Sequence, residues 1–305
     1  MIIMPAPDHP HLNKMERLLI LAITKNIMAP IITVLDFSSA SLNAARYAAD
    51  MAAAIHAPLV LVHVVQIAEL CLTLDNDEIE TYKAEKRPDA QLTELKKHFE
   101  LRTGNKIQVD KVILHGEPEN ELEKFCGKNR PRAVVTGLNI YLDKSPHQYK
   151  NNVIDFVHAV DCPLFIIPFN ASFCDFRNIA VMIGSGENPN GAAVSQIKKW
   201  VKLFVSGSAA SNIDIKIWPF SKHTIVDLIV LEKPDLLVDA CGKEESIEYL
   251  LQNIQRNHLS IEQTPAILSL RPDDVKASSL SIPVFEEKKH DCRVCNGACK
   301  SKKPV

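Results

Sequence analysis

No stretch of this chain approaches the roughly 20 apolar residues that a membrane-spanning helix needs. The run Leu18 to Ile23 is apolar but far shorter, and no small-residue cleavage signature follows it. A secretory leader is therefore not expected. Without one, the expectation is a cytoplasmic chain with reduced thiols and no membrane partner. An excess of one charge is also missing: 35 basic residues stand against 37 acidic ones, a formal net charge of -2. That balance gives no basis for a nucleic-acid-binding stripe. Catalytic signatures are missing as well. There is no Gly-x-Ser-x-Gly elbow, no lysine-bearing phosphate loop, and no pair of carboxylates at a spacing that suits acid–base work. No catalytic residue is nominated by these patterns.

What is present is apolar material in an ordered pattern. The 305 residues are 46% hydrophobic, enough for one large or two ordinary domains. Ile31 to Leu35 is a β-branched, apolar run, as a strand buried on both faces requires. Ser38 or Ser39 then suits a helix cap. The helix that follows carries Leu42, Ala45, Ala49, Ala52 and Ala53 on one face, small enough to lie close to a sheet. Leu59 to Val65 reads as a second strand. An acidic connection closed by Pro88 leads to a helix bearing Leu92, Leu95 and Phe99, with Gly104 at its end. Ile107 to Leu114 reads as a third strand, Glu119 to Cys126 as a helix stopped by Gly127, and Ala133 to Thr136 as a fourth strand. A loop from Gly137 to about Lys150 precedes a helix marked by Val153, Val157 and Val160, and Leu164 to Ile167 is the fifth strand. Strands alternating with helices at these lengths predict an α/β fold with a doubly wound parallel sheet.

A second pass of the same kind starts at Asn178. Strands are expected at Ile179 to Ile183, Ile213 to Trp218, Leu236 to Val238 and Ala266 to Leu270. Helices are expected around Ile197 and Val201, Leu228 and Ile229, and Ile247, Leu250 and Ile254. The stretch Cys162-Pro-Leu-Phe-Ile-Ile-Pro168 lies over Thr264-Pro-Ala-Ile-Leu-Ser-Leu270, and Arg132 to Val135 over Asp235 to Val238. This is an internal duplication whose second copy is shorter by about one β-α unit. The organisation expected is an N-terminal extension at 1–29, a first domain at 30–169, a second at 176–271 and a polar tail at 272–305.

The first domain resembles the universal stress protein A family. The residues that carry the likeness are Thr33-Val-Leu-Asp-Phe-Ser-Ser-Ala-Ser-Leu, then Leu61-Val-His-Val-Val65, Val112-Ile-Leu-His-Gly-Glu-Pro118, and Val160-Asp-Cys-Pro-Leu-Phe-Ile-Ile-Pro168. The second half resembles a worn copy, so the chain looks like a tandem member. The resemblance implies two domains of the adenine nucleotide alpha hydrolase-like, universal stress protein fold, the second shorter. It also implies that the fifth strand of each copy pairs with the other inside one chain. A homodimer of chains stays open.

In nucleotide-binding members of that family, an acid after the first strand and a valine after the second meet the adenosine. Asp36 and Val64 fill those places. A Gly-x2-Gly-x9-Gly-Ser/Thr loop wraps the phosphates, because glycine lets amide N–H groups approach an anion. Gly137 fills the first position. Ile140 stands at the second, and Lys150 and Asn151 stand where Gly-Ser/Thr belongs. A β-branched residue resists positive φ. The resemblance therefore implies a stress-response binding or regulatory protein without a working ATP phosphate loop. The alternative it leaves is an ATP-binding sensor using Asp36, Val64, Gly137, Lys150 and Asn151. In the second copy Ile183-Gly184-Ser185 has no acid at the equivalent exit, and the short Gly184-Ser-Gly186 reads as a turn. His63, alone inside a strand, reads as a hydrogen-bonded core residue.

Eight cysteines remain to be placed. Cys71, Cys126, Cys162, Cys174 and Cys241 are scattered and read as small apolar residues. His290, Cys292, Cys295 and Cys299 cluster in the tail. Two thiols at x2 spacing with a third and a histidine make a four-ligand set suited to zinc, and less well to an iron–sulfur centre. A metal- or redox-responsive protein acting through this tail is thus a third reading, set against a solvated, lysine-rich tail with reducible thiols.

Overall fold

The computed structural model describes residues 29–66, 78–138, 152–173, 176–184, 192–204, 213–220, 225–241, 246–247, 249–251 and 264–270. Lys150, Asn151, Gly186 and the Cys-bearing tail lie outside these residues, as do residues 1–28 of the expected extension.

Nine strands form one mostly parallel sheet. The strands are β1 (Ile31–Val34), β2 (Leu59–Val65), β3 (Val109–His115), β4 (Ala133–Leu138), β5 (Leu164–Pro168), β6 (Asn178–Ile183), β7 (Asp214–Pro219), β8 (Leu236–Ala240) and β9 (Ala266–Ser269). Their spatial order is β3-β2-β1-β4-β5-β9-β8-β6-β7. Helices α1 (Ser39–Ala54), α2 (Glu78–Arg102), α3 (Pro118–Asn129), α4 (Asn152–Ala159), α5 (Ala192–Leu203) and α6 (Ile225–Glu232) supply the crossovers. The chain winds from β1 out to β3, then returns to β4 on the other side of β1, so the switch point lies between β1 and β4. The second half has its own switch between β6 and β8. Among the described residues between Phe204 and Thr224, β7 sits beside β6 as β2 sits beside β1.

The two faces of the sheet carry two cores. One joins Ile31, Leu59, Leu61, Val135 and Phe165 to α1 and continues through Ile179, Val181 and Phe204. The other joins Ile32, Val34, Val62, Val134 and Ile166 to Leu122 and Phe156, then to Leu237 and Leu250. Alternation of side chains along each central strand splits its residues between these cores. The alanines of α1 do what their size suggests: Ala44, Ala45, Ala48, Ala49 and Ala52 are all fully buried, so the helix lies low on the sheet. Cys126, Cys162 and Cys241 are buried among apolar neighbours and are not joined in disulfides.

All neighbouring strands run parallel except β5 and β9, which pair antiparallel with Leu164 opposite Ser269 and Ile166 opposite Ile267. Phe165 of β5 also meets Phe204 edge-on, ring centroids 4.9 Å apart. The connection after β5 is fastened to α1. The Asn43 side-chain amide donates to the carbonyls of Pro168 (3.0 Å) and Ala171 (2.8 Å), and Tyr47 meets Phe173 edge-on. Asn43→Ala should cost about 2 kcal/mol, the loss of two half-buried hydrogen bonds. Urea unfolding of the variant beside the parent checks it, and an unchanged midpoint would remove the fastening.

Two expected helix breaks are not breaks in the structure. Pro88 does not close a connection; it lies inside α2, which already begins at Glu78. Proline deletes one rung of the i→i-4 ladder, and tertiary contacts carry the helix past it. Lys111 of β3 reaches Asp89 Oδ1 and Thr93 Oγ1, both at 2.6 Å, just beyond the proline. Likewise Gly127 does not stop α3, which runs on to Asn129; the left-handed residue that ends it is Arg130, at φ 45°.

Candidate functional site

In open α/β sheets, ligands sit beyond the carboxyl ends of the strands at a switch point. Here that place is built by the exits of β1 and β4. The β1 ladder outlasts the strand, since Leu35 N donates to Val62 O at 2.8 Å. The pairing of β1 with β2 ends at Val34 opposite Val62. Asp36 follows two residues beyond Val34, and Val64 lies two residues beyond Val62 on β2.

Asp36 is exposed, and its carboxylate serves the local turn. Its Oδ1 accepts from Ser38 N at 2.9 Å. Partial burial pushes its carboxyl up, but the hydroxyls of Ser38 and Ser41 and the Ser38 amide outweigh this and hold it below the usual carboxylate range. Ser38 is the N-cap of α1, accepting from Ser41 N through its hydroxyl at 3.2 Å. Ser41 returns its own hydroxyl to Ser38 O at 3.1 Å. Between acid and cap stands Phe37 at φ 60°, a left-handed conformation that an aromatic residue rarely adopts.

Phe37 rests on His63, ring centroids 4.8 Å apart. His63 Nδ1 lies 2.7 Å from the Leu35 carbonyl. A carbonyl only accepts, so Nδ1 carries the proton and donates. The sequence reading of His63 as hydrogen-bonded is matched in kind, though the ring is half-buried rather than enclosed.

Gly137 faces the other side of β4. A Cβ there would lie 2.5 Å from the Ala40 carbonyl carbon, 2.6 Å from its oxygen and 2.7 Å from Ser41 N. The first turn of α1 therefore rests directly on the glycine. This contact explains the glycine without any ligand.

The corresponding exit of the second half holds a residue that sequence reasoning passed over. Asp239, on the last turn of β8, is 3% exposed. Both of its carboxylate oxygens accept from the Ser246 hydroxyl, at 3.1 and 2.9 Å, and Oδ1 accepts from Cys241 N at 3.2 Å. Burial pushes its carboxyl up, against the pull of the Cys241 amide, the Ser246 hydroxyl and the Cys241 thiol. The signal was visible: one acid inside the otherwise apolar run Leu236-Leu-Val-Asp-Ala240.

Among the described residues, no group of three or more His, Cys, Asp or Glu is placed to hold a metal ion, and no helix is long and apolar enough to cross a membrane. His290, Cys292, Cys295 and Cys299 lie outside those residues.

Comparison with known proteins meets this geometry at the family level. Residues 28–168 match the model of the Universal stress protein family. No curated protein matches the chain. A solved universal stress protein from Archaeoglobus fulgidus DSM 4304 is 11% identical, covers 79% of this chain and 98% of its own, and superposes with a TM-score of 0.53. At that identity the likeness is one of fold alone. It spans more of the chain than residues 28–168 supply, so the shared fold reaches into the second half. A functionally unknown protein from Pseudomonas aeruginosa PAO1 is 11% identical over 83% of this chain and 95% of its own, TM-score 0.47. The Archaeoglobus fulgidus universal stress protein solved in complex with dAMP is 18% identical over 46% of this chain and 98% of its own, TM-score 0.35.

Proposed function

We propose that this chain is a tandem universal stress protein, with a first domain at 30–169 and a shortened, degenerate copy at 176–271, that acts by binding or regulation in a stress response and not by catalysis. The cytoplasm is the compartment that suits buried cysteines not joined in disulfides. The β5–β9 pairing supports a pseudo-dimer inside one chain.

The observation that carries the reading is how the switch-point residues are employed. Asp36 is engaged by the turn and cap that start α1, and Gly137 is engaged by the backbone of that helix. An anion cradle needs uncommitted amides and open glycine backbone. Ile140, Lys150 and Asn151 replace the remaining family pattern with side chains. A working phosphate loop is not what these residues favour.

Thermal unfolding with saturating ATP and magnesium tests this. A ligand at 100 times its Kd adds about 2.7 kcal/mol to the folded state. The expected result is no shift in Tm. A rise that vanishes in Asp36→Ala would establish the ATP-binding sensor instead.

A further inference from the structure

Across the antiparallel seam, where the carboxyl exit of β5 meets the amino-terminal starts of β8 and β9, lies a half-open cavity of about 320 Å³. It opens at the same end of the sheet as the exits of β1 and β4, but Asp36, Val64 and Gly137 are not in its lining. The size is at the low end for small-molecule sites, which begin near 300 Å³. Ile229, Pro234, Pro265 and Ala266 give it apolar walls. Its polar lining is Ser172, Lys233, Asp235 and Thr264.

The charges are set apart rather than joined. Lys233 follows α6 in a left-handed conformation at φ 43°, its amide N–H spent on the Ile229 carbonyl at 3.1 Å. Among the described residues its ammonium has no acid partner. Asp235 accepts from the amides of Arg177 and Asn178, both at 2.9 Å, through Oδ2 alone. A carboxylate has about four acceptor positions, so Oδ1 keeps its capacity. The carboxyl end of α6, which carries partial negative charge, also borders the cavity at Ile229 and Val230. Thr264 is 5% exposed, and among the described residues its buried hydroxyl has no hydrogen-bond partner. A buried hydroxyl without a partner is costly, and here it belongs to a wall of a cavity.

One cation and one anion on the same small apolar cavity, not paired with each other, complement a molecule that carries both charges. We infer that this cavity binds a zwitterion of the α-amino-acid class with an aliphatic side chain. Its ammonium faces Asp235 and the end of α6, its carboxylate faces Lys233 and the Ser172 hydroxyl, and its side chain lies on Ile229 and the prolines.

The test uses three probes of one skeleton on the full chain: L-leucine, 3-methylbutylamine and 4-methylpentanoate. Calorimetric titration reads affinity, and amide NMR shifts at Lys233 and Thr264 read location. L-leucine should bind at least tenfold more tightly than either singly charged analogue. Lys233→Gly suits the left-handed backbone and should fold. It should weaken leucine at least tenfold and bring it level with the amine. Equal binding of all three probes, saturation without shifts at Lys233 and Thr264, or no saturation at 20 mM would each overturn the inference. So would unchanged leucine affinity in Lys233→Gly.

Discussion

Gly137→Ala is expected to destabilise the protein by about 3 kcal/mol, at the upper end of what overpacking a core costs. The added Cβ would meet Ala40 C, Ala40 O and Ser41 N at 2.5 to 2.7 Å. These are backbone atoms of the first turn of α1, so no rotamer change relieves the clash. The helix itself must lift. It is held down by alanines with no side-chain length to yield, Ala44, Ala45 and Ala48 among them, and by the Ser38 cap. Urea unfolding of Gly137→Ala beside the parent measures the cost. A change below about 0.5 kcal/mol, the scatter of an ordinary surface substitution, would show that α1 floats on the sheet. The contact also bears on function. If the glycine were present only to admit phosphate, alanine would abolish nucleotide binding and leave stability alone.

The second large effect is expected at the buried acid of β8. Ser246→Ala removes the hydroxyl that both oxygens of Asp239 accept from. Removing the partner of a buried polar group costs about 1–3 kcal/mol, so a loss of about 2 kcal/mol is expected. Asp239→Asn should act in the opposite sense. Burial raises the folded pKa of Asp239 above its unfolded value, which is about 3.9. Below that unfolded value both states hold the proton and the buried acid costs nothing extra. As pH climbs past about 4, the unfolded chain releases its proton first, and stability falls until the folded pKa is passed. Asparagine cannot ionise, so the variant should escape this fall and gain on the parent as pH rises from 4 to 7. Unfolding curves of parent and variant across that range decide it. A constant difference between them would mean that Asp239 titrates alike in both states.

Much of the fold was legible because its cause is local. Ile31 to Leu35, Leu59 to Val65 and Leu164 to Ile167 are apolar on both faces because both faces are buried, and the alanine stripe of α1 reads directly as a helix lying close to a sheet. Pro88 and Gly127 misled for the opposite reason. Each is a local breaker overruled by the neighbours that its helix packs on, and no window of sequence contains those neighbours. The site divides in the same way. Asp36 and Val64 lie at the same end of neighbouring strands because strand register is set by the apolar pattern. The employment of Gly137 depends on a helix turn nearly a hundred residues earlier in the chain. Asp239 is an acid in a strand whose partner, Ser246, lies across a connection, so its burial could not be read from periodicity.

The antiparallel seam has a consequence for how the protein is made. β5 is apolar throughout, Leu164-Phe-Ile-Ile-Pro168, and its free edge is covered only by β9. Roughly 100 further residues must leave the ribosome before that cover exists, which at ordinary translation rates is about 5–20 s. During that interval the nascent first half presents a sticky, unpaired ribbon. A stop codon placed before residue 264 would make that interval permanent, and the shortened product should be caught by chaperones or precipitate while the whole chain does not.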